Sequence, residues 1–195
     1  MSRRLRCGPG WAGPWRWCGR DFALSYICIE GRGITTRMAI SETDLIHLRR
    51  CVDLAREALL DGDEPFGSVL VAADGGVLFE DRNRVKDGDE TRHPEFEISR
   101  WAARNMTPAD RAVATVYTSG EHCPMCAASH GWVGLGRIVY AVSSAQLAEW
   151  GMPAGPVAAL PISVVVPGAE VDGPVAQFAA EMRELHGARP GIQLR

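Results

Sequence analysis

Gly120-Glu121-His122-Cys123-Pro124-Met125-Cys126 is the stretch on which the reading of this 195-residue chain turns. Cys123 and Cys126 stand three residues apart, and a helix-forming run follows them. Both therefore fall on one face of a helix's first turn, where free amides and the positive dipole end lower a thiol's pKa. Two thiolates aimed at one point are half of a tetrahedral zinc site. The stretch that completes it best is His93-Pro94-Glu95, thirty residues upstream of Cys123. Histidine supplies a third ligand, and three protein ligands leave a position open to water, the mark of a catalytic rather than a structural zinc. Glu95 can reach that water without being a ligand. His93 and Glu95 would lie ~200° apart on an ideal helix, so they converge only at a helix start, where side chains can point forward.

The elements around these two stretches read as an α/β chain. Ser41-Glu42-Thr43-Asp44 is a Ser-x-x-acid helix start, and Leu45, Leu48, Val52, Ala55 and Leu59 follow at helical spacing to about Leu60. Ser68 to Ala72 reads as a strand, Asp74-Gly75-Gly76 as a hairpin turn and Val77 to Val85 as the return strand. A polar loop, Asp87 to Thr91, precedes His93, which starts a second helix ending near Asn105. Pro94 suits a first helical turn because its missing N–H is not needed there. Ala112 to Thr118 is a strand, and Cys123 begins a helix that ends near Gly134. Arg137 to Val142 and Ile162 to Val166 are further strands, and Val175 to Leu185 is a last amphipathic helix. Strands alternating with helices predict a sheet covered on both faces.

Composition narrows the function classes. Hydrophobic residues make up 46% and charged residues 23%, ordinary for a globular protein, and no run of eighteen apolar residues marks a membrane span. The charge is uneven. Residues 1–37 hold seven arginines and two acids, whereas residues 38–195 hold 14 basic and 22 acidic residues, a net of −8. An acidic body is a poor partner for a phosphate backbone, so no nucleic-acid partner is expected. Residues 1–37, broken by Gly and Pro, read as an extension or an upstream start, and the domain as 38–195. Phe22 to Ile29 is a short apolar run with no clean cleavage site after it, so the expected location is the cytoplasm. There C-x-x-C reads as metal-binding or redox, and a thioredoxin-like pair would leave His93-Pro94-Glu95 unexplained. Cys51 reads as a small buried hydrophobe, and His47, His130 and His186 as surface or core histidines.

H-x-E followed by C-x-x-C is the zinc deaminase signature. With Pro65-Phe66-Gly67-Ser68-Val69, Asn83-Arg84-Val85, His93-Pro94-Glu95 and Tyr117 to Cys126 in order, the chain resembles the cytidine/deoxycytidylate deaminase superfamily over roughly Ser41 to Val142. Within it, the likeness is to the guanine deaminase and tRNA-adenosine deaminase branch. The resemblance implies a three-layer α/β/α fold with a mixed five-stranded sheet and a homodimer. It implies Zn2+ on His93, Cys123 and Cys126, and Glu95 as the catalytic proton carrier. It also implies Asn83 as a hydrogen-bonder to substrate and Phe66 as a pocket-lining ring. Glu121 stands where the family has a glutamate. His122 replaces the family's usual proline and reads as a pocket wall. His93-Pro94-Glu95 departs from the commoner His-Ala-Glu, which leaves the branch and substrate open. The expected reaction is hydrolytic deamination of a small aminated ring: guanine, a related purine, or a triazine or azacytosine analogue. The competing readings are a tRNA-adenosine or nucleoside (cytidine) deaminase and, from another class, a non-catalytic zinc-stabilised binding module.

Overall fold

A computed structural model describes residues 39–153, 155 and 157–191. Its strands are β1 (Gly67–Val71), β2 (Val77–Arg82), β3 (Thr115–Gly120), β4 (Ile138–Val142) and β5 (Val171–Asp172), in the spatial order β2-β1-β3-β4-β5. β1 pairs antiparallel with β2 and β3, while β3–β4 and β4–β5 are parallel, so the sheet is mixed. Its helices are α1 (Glu42–Leu60), α2 (Pro94–Asn105), α3 (Pro108–Val113), α4 (Pro124–Val133), α5 (Ser144–Glu149), α6 (Ile162–Val165) and α7 (Ala179–Gly187).

Alternation along the central strands sets the layers, because successive strand side chains point to opposite faces. Val69, Val71, Tyr117, Val139 and Ala141 join a core with Leu48, Cys51 and Val52 of α1 and Met182 and Leu185 of α7. Leu70 and Val116 face the other way, onto Ile98 and Ala102 of α2, and Ile138 and Tyr140 pack with Ala127 of α4. The result is the three-layer α/β/α fold, with α1 and α7 on one face and α2 and α4 on the other. β1 and β4 are buried at every position, as strands covered on both faces must be. Each fully buried Leu or Val contributes ~1.5–3 kcal/mol to this core.

Local signals place most boundaries. Ser41 caps α1 by accepting from the Asp44 amide, and Asp44 answers on the Ser41 amide at 2.8 Å, a complete capping box. β2 stops at Arg82, short of the expected Val85, and the Asn83 amide instead donates to the Phe66 carbonyl at 2.9 Å. The fifth strand is a correction. Ile162 to Val166 was expected to be extended, but Ile162–Val165 is a short helix and the fifth strand is Val171–Asp172. Ile162 buries against Ala127, Ile138 and Tyr140 while Val164 stays 60% exposed, so one tertiary anchor overrides the β propensity of the run. β3 likewise begins at Thr115, because Thr107 caps an unexpected helix, α3, over Pro108–Val113. The expectation for residues 1–37 lies outside the described residues.

Candidate active site

Two helix starts converge on one point. His93 is the N-cap of α2 and Cys123 the N-cap of α4, each extended, and Pro94 and Pro124 occupy the first turns. This geometry lets His93 and Glu95 face the same place despite their spacing. His93 Nδ1 lies 3.6 Å from the sulfurs of both Cys123 and Cys126, and the two sulfurs are 3.6 Å apart. A tetrahedral zinc at ~2.3 Å from sulfur and ~2.05 Å from nitrogen separates two thiolates by ~3.8 Å and a thiolate from an imidazole nitrogen by ~3.6 Å. The three groups therefore fit zinc without rearrangement, and they form the one His/Cys/acid group of that kind among the described residues. The neighbouring Cys126 thiol and then His93 bring the Cys123 thiol down to about 5, despite partial burial. Cys123, burial and Glu95 push Cys126 up. The hydrogen bond between the His93 ring and the Cys123 sulfur, with burial opposing, raises His93.

Glu95 is 5% exposed. Thr118 Oγ1 and Ser68 Oγ donate to its Oε1 at 2.6 and 2.8 Å. Ser68 and Thr118 are partners across the β1–β3 pairing, so both hydroxyls stand on the α2 side of the sheet directly beneath Glu95. Burial pushes the Glu95 carboxyl up, but the neighbouring His122 and His93 imidazoles and these two donors outweigh it and hold the group below its ordinary value. Ser99 donates to the Glu95 carbonyl at 3.1 Å and Ser129 of α4 to Ser99 at 3.0 Å, tying the two helix starts together.

Asn83 is fully buried; its Oδ1 accepts from the Val85 amide at 3.1 Å, and its Nδ2 has no partner among the described residues. The Phe66 ring lies against Gly120, where an added Cβ would come within 2.7 Å of Phe66 Cε1, so that position needs glycine. His122 is buried, stacks edge-on to His130 at 5.5 Å and is held down to about 4 by burial, with Glu95 opposing. Glu121 Oε2 accepts from the Ser144 amide at 3.0 Å, at the start of α5. His47, His130 and His186 are all buried, and Cys51 is fully so. Ser68 and Thr118 lie within stretches that carry the family resemblance, but the sequence assigns them no role. The available signal was a hydroxyl, Ser68 in β1 and Thr118 in β3, on the strand face that otherwise presents Leu70 and Val116 to α2.

Residues 41–142 match the family model for the cytidine and deoxycytidylate deaminase zinc-binding region. The chain is similar to a Schizosaccharomyces pombe protein named "Probable cytosine deaminase", 34% identical over 55% of this chain and 65% of that one. It is also similar to guanine deaminase of Bacillus subtilis, 35% identical over 53% of this chain and 67% of that one. The matched stretch thus spans about two-thirds of each relative. In three dimensions it resembles guanine deaminase from Nitrosomonas europaea, with a TM-score of 0.61 and 19% identity over 78% of this chain and 88% of the other.

Proposed function

The chain belongs to the cytidine and deoxycytidylate deaminase family, and on that premise we propose that it releases ammonia hydrolytically from a free aminated nucleobase or a close ring analogue. The observation that carries this reading is Glu95: a buried carboxylate, fixed at one oxygen by two hydroxyls, beside a three-ligand metal site. A purely structural metal site has no use for such a group. His93, Cys123 and Cys126 would hold zinc, which supplies Lewis acidity that makes water a nucleophile near neutral pH. Glu95, ionised, accepts a proton from the attacking water and passes it to the ring nitrogen beside the amino-bearing carbon. It then carries the water's second proton to the departing ammonia, so amine and water become carbonyl and ammonia. Ser68 and Thr118 keep the carboxylate aimed through both transfers.

Asn83 Nδ2, a buried donor, and the face of Phe66 would hold one planar ring by hydrogen bonding and stacking. His122 would wall the pocket near Glu95. Glu121, engaged by Ser144, would act through the position of α5. A free base fits the charge better than a nucleic acid, since residues 38–195 carry 22 acids against 14 cations and the loop Asp87-Gly88-Asp89-Glu90 is acidic. A homodimer is part of the proposal. Trp132 is 83% exposed beside an apolar groove between α2 and α4, lined by Phe96, Ala103, Met125 and Ala128, a face suited to a second copy. A cysteine pair that serves as metal ligands rather than as a disulfide suits a reducing compartment, in keeping with a cytoplasmic location, and no helix of the described residues is long and apolar enough to cross a membrane.

The test is ammonia release from guanine, adenine, cytosine, their nucleosides, triazine analogues and a tRNA anticodon stem-loop, with Glu95→Ala as control. Turnover of one or more free bases, lost in Glu95→Ala, is expected. Turnover confined to the RNA would overturn the substrate class, and zinc binding without any turnover would favour the binding module.

A further inference from the structure

His186 is fully buried near the end of α7, and neither of its ring nitrogens has a hydrogen-bond partner among the described residues. A neutral imidazole carries one donor and one acceptor, and leaving both unmet in the interior opposes folding. Met182 and Leu185 already give α7 its apolar packing, so an apolar residue at 186 would serve the fold better. The position of the ring suggests what it serves instead. His186 meets Phe66 edge-on, with centroids 5.0 Å apart and planes at 64°. Phe66 lies against Gly120, three residues before the metal ligand Cys123. The Phe66 carbonyl accepts from the backbone N–H of Asn83, whose side-chain Nδ2 is also buried and has no partner among the described residues. Phe66 thus has His186 against its ring and Asn83 on its carbonyl, and each of these two residues carries a buried nitrogen without a partner among the described residues. Beyond His186, Arg189 pairs with Glu64, two residues before Phe66, and fastens the end of α7 to this lead-in to β1. Burial and Arg189 keep the imidazole neutral, with its pKa near 3, so it keeps one donor and one acceptor.

We propose that His186 is a specificity-determining residue that, together with Asn83, reads a lactam edge, a ring carbonyl beside an N–H, on the base bound over Phe66. Asn83 Nδ2 can only donate, which calls for an acceptor such as the carbonyl. His186 can complete the pair with whichever of its two nitrogens faces the edge. Guanine and cytosine carry such an edge, whereas adenine does not. This inference rests on the deaminase reading.

The experiment measures binding by calorimetry in the Glu95→Ala protein, where turnover does not interfere. The bases are guanine against 2-aminopurine and cytosine against 4-aminopyrimidine, pairs that differ by the carbonyl. His186→Leu is expected to weaken the preferred lactam base at least tenfold, to leave its carbonyl-free partner within about threefold, and to leave the thermal midpoint without base equal or higher. His186→Gln, which keeps a donor and an acceptor, is expected to retain part of the discrimination and serves if the leucine variant does not fold. Unchanged discrimination in both variants, or an equal loss for both members of a pair, would overturn the role of His186. Ammonia release by the otherwise unaltered protein is run alongside. No release from any base would refute the deaminase reading itself, whereas normal release with unchanged discrimination in the variants would refute only His186.

Discussion

Thr118→Val removes one oxygen and keeps a β-branched side chain that suits the strand. The lost O–H donates to Glu95 Oε1 at 2.6 Å, and the acceptor is 5% exposed, so water cannot take its place. A hydrogen bond to a charged group contributes ~1.5–3 kcal/mol, and that is the expected loss in folding stability, read by urea unfolding through tryptophan fluorescence. If the bond aims the carboxylate during proton transfer, the same energy appears in turnover as a ~10–150-fold fall in kcat at 1.36 kcal/mol per factor of ten. KM for the base should change little, because neither hydroxyl is placed against the ring. Ser68→Ala, at 2.8 Å from the same oxygen, should behave alike. The double variant is the sharper test. Each single variant leaves one donor on Oε1 and also breaks the 2.9 Å bond between the two hydroxyls, whereas the double leaves a buried carboxylate with neither donor, so its loss should differ from the sum of the singles by ~0.5–3 kcal/mol. A Thr118→Val enzyme with kcat within twofold of the parent, or a double variant that is merely additive, would refute the claim that these hydroxyls position Glu95.

Metal analysis of purified protein should give about one zinc per chain, falling to near zero in His93→Ala and Cys123→Ser; zinc near zero with activity intact would end the metal reading. Asp44 accepts from Arg137 at 2.7 and 3.3 Å, Tyr117 at 2.8 Å and the Ser41 amide at 2.8 Å, and although burial pushes it up, these donors bring its pKa from 3.8 to about 2. Because the folded value lies below the unfolded one, this stabilisation is complete above about pH 4 and is lost as pH falls through 2, a contribution of ~2.5 kcal/mol. Urea unfolding of metal-free protein between pH 6 and 2 should show it, and Asp44→Asn should flatten that acid slope. Trp132→Glu should convert a dimer into a monomer by light scattering without lowering the thermal midpoint by more than a few degrees; a parent that is itself monomeric at micromolar concentration would remove the dimer from the proposal.

The two halves of the zinc motif, the capping box at Ser41 and the hairpin at Asp74-Gly75-Gly76 were legible because each is local. A cap, a turn or a ligand pair at i and i+3 needs only the backbone conformation of its own few residues. Ile162 to Val166 was misread because its β-branched composition is a preference of under about 1 kcal/mol per residue, and burying Ile162 against α4 and β4 outweighs it. α5 was missed although Ser143 and Gln146 form a capping box that the sequence spells out.

The sequence by itself picked out the residues proposed as metal ligands and proton carrier, and it determined the class of fold, because those readings depend on residue types at short, fixed spacings and on alternation of apolar positions. Only the tertiary structure decided that Ser68 and Thr118, fifty residues apart in sequence, hold the same oxygen of Glu95. Only it placed His186 of the last helix edge-on to Phe66, 120 residues earlier, with neither ring nitrogen partnered among the described residues. Strand register and the docking of α7 create these contacts, and both are settled by the burial of whole apolar faces rather than by any stretch near the residues concerned.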